Sequence, residues 1–114
     1  MSNMFDAMKM LGKLGEIKQK AKLVKEKLKS IEITESSEDQ LVKVVMTADK
    51  SIKRIEINEN LLNLQAKNDL EEKIVEALNI GYKSAEKRSQ EELKENLKDS
   101  LPDIPGLDLE NLPI

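Results

Sequence analysis

Cysteine, histidine and tryptophan are absent from this chain of 114 residues, and its aromatic side chains are Phe5 and Tyr82 alone. Without cysteine there is no disulfide framework, no thiolate nucleophile and no sulfur-ligated metal. Without histidine the commonest general base and the commonest transition-metal ligand are missing. A serine-hydrolase triad, a cysteine-protease dyad and a structural zinc site are therefore excluded. The core has to be built from Leu, Ile, Val and Met. The strands lack the aromatic platforms on which RRM-type and OB-type domains stack single strands. No apolar run approaches the roughly 20 residues that cross a bilayer. Met1 to Met10 is broken by Asp6 and Lys9 rather than forming a basic-then-apolar leader. The expectation is a cytoplasmic protein with no membrane partner.

What the chain has is charge, 36% of residues against 39% hydrophobic. The length suits one domain, whose small core would gain from oligomerisation. The net charge of −3 is unevenly spread. Residues 1–30 carry eight lysines against Asp6, Glu16 and Glu26, a net +5, which leaves −8 for the rest. The picture is a basic arm on an acidic body.

The periodicity predicts an α+β order. Over residues 1–30, Ala7, Met10, Leu14, Ile17, Ala21, Val24 and Leu28 follow alternating three- and four-residue steps, one apolar helical stripe that continues to Ile31. Gly12 and Gly15 each cost about 1 kcal/mol relative to Ala, so firm helix is expected from near Glu16. The pattern then changes to alternation at Ile31 and Ile33, again over Leu41–Ala48, and again at Ile55 and Ile57. Turn clusters at Ser36–Asp39 and Ala48–Ser51 separate these segments. Three short antiparallel strands are predicted, with one face to be covered. A second long helix is expected to start at an Asn68 cap with Glu71 as its capping-box partner. Its stripe is Leu70, Ile74, Ala77, Leu78, Gly81 and Ala85. Residues 86–92 lack apolar side chains and read as an exposed arm or a frayed end. Residues 1–98 form the expected domain. Residues 99–114, with Pro102, Pro105, Gly106 and Pro113, form the expected irregular tail, docking through Ile104 and Leu107.

The lysines of the first helix are the leading functional candidates. Lys13, Lys20 and Lys27 recur every seven residues beside the apolar stripe, Lys18 and Lys25 border its other side, and Lys22 lies among them. Lysine against lysine would repel in a parallel pairing of two such helices. The borders can face acids of the second helix (Glu71, Glu72, Glu76), meet an external polyanion such as nucleic acid, or remain a solvated face. Lys87 and Arg88 sit among Glu86, Glu91 and Glu92 and read as an ordinary mixed helical surface. Lys53 and Arg54 read the same way. Glu35, Glu38 and Asp39 lack the spacing of a calcium loop. Glu71–Glu72 and Glu91–Glu92 point to different helix faces. No cofactor or metal is expected, and no catalytic residue.

The order of segments resembles the YbaB/EbfC family of bacterial nucleoid-associated proteins. The resemblance runs through the lead MFDAMKMLGKLGEIKQKAK, the strand pair LVKVVMTADKSIKRIEIN with its Leu-Leu pair, the helix LEEKIVEALNIGYKSAEK and the closing PDIPGLDL. It implies a homodimer whose sheets meet and whose long helices project, and a non-enzymatic protein that binds duplex DNA with modest sequence preference. The projecting helical ends would touch DNA, corresponding here to Lys13, Lys18, Lys20, Lys22, Lys25 and Lys27, with Lys87 and Arg88. Glu86, Glu91, Glu92 and Glu95 near those ends predict weak, steeply salt-dependent, backbone-directed binding. The alternative is a protein-interaction module that docks on another protein, such as a DNA-repair protein, through the first helix and the tail.

Overall fold

Three strands and two long helices account for most of residues 3–98, which the computed structural model describes, with side chains from Asp6 onward. The order is α1 (Asn3–Leu28), β1 (Glu32–Ser36), β2 (Val42–Thr47), β3 (Ile52–Ile57) and α2 (Lys67–Leu97). No helix among the described residues is long and apolar enough to cross a membrane. The expected tail over 99–114 lies outside the described residues.

By its internal contacts the chain divides into residues 28–89 and a second unit of residues 1–27 with 90–114. The first holds the sheet and most of α2. Its strands form an antiparallel meander in the order β1-β2-β3. Both hairpin turns close on a residue in left-handed backbone, Gln40 at φ 64° and Lys50 at φ 71°. In each, the amide of that residue donates to the carbonyl three residues earlier, on Ser37 and Thr47, both at 2.9 Å. The second, over residues 48–50 and closed by the Thr47 amide on the Ser51 carbonyl, is the three-residue turn that matches the twist of an antiparallel pair.

The main core cluster lies on one face of the sheet. Val42, Val44 and Met46 are fully buried with Leu61, Ala77 and Ala85, and Ile33, Leu70, Ile74 and Leu78 pack around them. α2 seats closely because Gly81 carries no side chain. A Cβ there would overlap the Met46 methyl and stand 3.1 Å from Val44 Cγ1. The helical cost of glycine is offset by this close approach.

Three local expectations are corrected. Asn68 is not the cap of α2. The helix is entered through a 3-10 turn, Leu64–Ala66, whose Asn63 side chain accepts from the Ala66 amide, and Asn68 falls inside α2. α1 is helical from Asn3, not from near Glu16. Gly12 and Gly15 stand in open space, so their cost is a propensity cost alone, and two such residues do not break a helix of 26 residues. Residues 86–92 are neither frayed nor wholly exposed, because α2 continues to Leu97 and Ser89 takes the buried position of the stripe.

In the second unit the end of α1 lies beside the end of α2. Val24, Leu93 and Leu97 are buried, and Lys27 Nζ reaches Glu92 Oε2 at 2.7 Å. Lys20, Leu23, Val24 and Lys27 share a groove with Asn96. Position 27 thus lies by 92, and 20–27 by 96, so the two helix ends run antiparallel.

Candidate nucleic-acid interface

α1 places its lysines in two columns, because positions three, four or seven apart share a helix face. Lys13, Lys20 and Lys27 form one column and Lys18, Lys22 and Lys25 the other, with the apolar stripe between them. The two columns fare differently. Lys27 pairs with Glu92, and Lys20 pairs with Glu16 at 3.4 Å. Lys18, Lys22 and Lys25 are exposed and make no ion pair among the described residues. Lys13 is likewise exposed without an ion pair among those residues. The second column spans seven residues, about 10 Å of helix, and offers three ammonium groups to one side.

Two of the three acids considered as partners for these lysines are used elsewhere. Glu76 accepts from the Glu38 amide at 2.8 Å, and Glu71 approaches Lys67 at 3.9 Å. It is Glu92 that meets α1. Helical spacing alone could not select among the acids of α2, since the choice depends on which ends adjoin. Lys87 and Arg88 are exposed on α2 within residues 28–89. Their neighbour Glu86 pairs with Lys50 at 2.5 Å.

Several cations of residues 28–89 are held by carboxylates of the fold. Lys73 bridges Asp39 and, at 3.6 Å, Asp69. Lys53 meets Glu32 at 3.2 Å. The Lys73 ammonium, with the Ser37 hydroxyl at 2.7 Å, holds the Asp39 carboxyl at about 2, below its usual 3.8. Asp39 in turn raises Lys73 above its ordinary value. The Glu35–Glu38–Asp39 cluster is thus hydrogen-bonded internally to Ser84, Glu76 and Lys73. No group of three metal-ligating side chains occurs among the described residues.

A second surface was not singled out from the sequence. Ile55 and Ile57 pair with Val44 and Val42, so they lie on the core face of the sheet. Lys53 is an extra residue in β3, since Val45 pairs with Arg54 while Met46 pairs with Ile52. This bulge returns Ile52 to the same face as Ile55 and Ile57. The three are 40%, 39% and 36% exposed on an edge strand. The uneven spacing Ile52-x-x-Ile55-x-Ile57 carried the signal, read as simple alternation without the bulge.

Residues 3–100 match the YbaB/EbfC DNA-binding family. The chain is 37% identical over 103 residues to a nucleoid-associated protein of Flavobacterium johnsoniae, covering 90% of this chain and 95% of that one. It is 35% identical over 107 residues to a nucleoid-associated protein of Dictyoglomus turgidum, covering 94% and 99%. The crystal structure of HP0035 from Helicobacter pylori superposes with a TM-score of 0.65 at 26% identity, over 78% of this chain and 92% of that one.

Proposed function

This chain belongs to the YbaB/EbfC DNA-binding family, and from that premise we propose that it is a homodimeric, non-enzymatic nucleoid-associated protein that grips the phosphate backbone of duplex DNA with low sequence specificity. The observation that carries the reading is the column Lys18, Lys22 and Lys25, exposed and without an ion pair among the described residues. Lysine is a flexible point charge. It neutralises phosphates and releases their counterions without reading base edges. Lys50, Lys53 and Lys73 of residues 28–89 are a poorer source of contacts, since they are committed to carboxylates. The place of action proposed is the nucleoid, in keeping with the names of the relatives.

The homodimer is supported by β3. Its unpaired edge and its three half-covered isoleucines offer a surface that a second copy of the same strand would complete. Two protomers would bring six lysines of the exposed column to one duplex.

The test is fluorescence anisotropy of a labelled duplex at about 50 and about 200 mM salt. Six phosphate contacts predict a loss of affinity of roughly a thousandfold between the two. Lys18→Gln, Lys22→Gln and Lys25→Gln together should weaken binding at the lower salt and flatten the salt slope by about one unit per lysine in contact with DNA. No binding at tens of micromolar protein at the lower salt would sink the proposal.

A further inference from the structure

The apolar stripe of α1 is covered at one end only. Val24 is buried, Ala21 and Ile17 are half-buried, and Leu14 and Met10 are exposed by 53% and 52%. Cover ends where α2 ends, at the buried Leu97. Because the two helix ends are antiparallel, α2 points along α1 toward its amino terminus. α2 therefore ends beside the covered part of the stripe, with its axis directed toward the bare part.

Residues 99–114 suit that face. They carry Leu101, Ile104, Leu107, Leu109 and Leu112, and the acids Asp99, Asp103, Asp108 and Glu110, with no lysine or arginine. The bare stripe is bordered by Lys9 and Lys13 on one side and Lys18 on the other, all exposed. The contact Lys27–Glu92 already sets an acid of the α2 end against a border lysine, and a tail running on in the same sense would repeat that pairing. Reach is ample. Sixteen extended residues span about 50 Å, whereas Ala7 to Ile17 occupies about 15 Å of helix.

We propose that the chain's own C-terminal segment, residues 99–114, docks along the amino-terminal half of α1, with its leucines on Met10, Leu14 and Ile17 and its carboxylates beside Lys9, Lys13 and Lys18. A second copy of α1 is the poorer occupant, since pairing two such faces would set lysine columns against each other. The tail carboxylates then compete with phosphate for Lys13 and Lys18. Docking itself needs no DNA, so the proposal stands or falls apart from the DNA-binding reading.

The experiment is hydrogen exchange by mass spectrometry, without DNA, on three proteins: the full chain, a chain ending at Asp99, and the full chain carrying Leu107→Asp and Leu109→Asp. Amides of residues 7–17 should exchange roughly tenfold faster in both altered proteins, with those of β2 unchanged. Equal rates over 7–17 in all three would overturn the proposal. So would protection that survives truncation and falls on dilution, which would assign the face to a second copy. If truncation also loosens β2, the rates of the aspartate variant decide by the same criteria.

Discussion

β1 and β3 flank the same central strand, yet one edge is closed and the other open. On the core face β1 presents Ile33 and Glu35, paired with Met46 and Val44. Glu35 accepts from the Ser84 hydroxyl of α2 at 2.7 Å. The turn that follows is held to the same helix by Glu38 to Glu76 and by Asp39 to Lys73. β3 presents Ile52, Ile55 and Ile57 to that face, and none of its residues makes a polar contact with α2 among the described residues. An inward carboxylate on an edge strand discourages further pairing, whereas an apolar edge invites it. The difference teaches that α2 finishes the core over β1 and β2 and leaves the isoleucines of β3 part-exposed.

Three substitutions sharpen or break that comparison. The largest effect is expected at the strand both edges share. Met46→Ala removes a fully buried side chain and should cost about 2–5 kcal/mol, read by urea denaturation at fixed protein concentration. Ile55→Asp places a charge on the open face. It should weaken self-association about a hundredfold or more in sedimentation equilibrium while leaving circular dichroism unchanged. A protein equally dimeric after this change would show that β3 is not the interface.

The smallest effect belongs to the closed edge. The folded-state pKa of Asp39 lies below its unfolded value, near 2 against 3.8. Its contribution is thus present above pH 4 and is lost as pH falls from about 4 toward 2. Asp39→Asn should lower thermal stability slightly at neutral pH and flatten the dependence across that acid window. An unaltered acid profile would show that the Lys73–Asp39 contact does not pin the turn.

Much of this was legible in local pattern. A stripe such as Leu70, Ile74, Ala77, Leu78, Gly81, Ala85 depends only on the helical repeat, and all six positions are at least half-buried. The two lysine columns of α1 follow from the same repeat. The start of α2 is not legible in local pattern, because asparagine can cap a helix wherever it stands, and only the 3-10 turn after Asn63 moves the entry upstream of Asn68.

By itself, then, the sequence determined the order of elements, the aliphatic composition of the core, the two borders of α1 and the exclusion of thiol and imidazole chemistry. These rest on residue identity and on repeats of two and 3.6 residues, which act over a few positions. Tertiary structure decided that Lys27 meets Glu92, that Glu35 has Ser84 to meet, and that a bulge at Lys53 gathers three isoleucines on one face. Each of these depends on strand register or on which helix ends adjoin. Both are set by contacts between residues far apart in the chain, which local repeats do not encode.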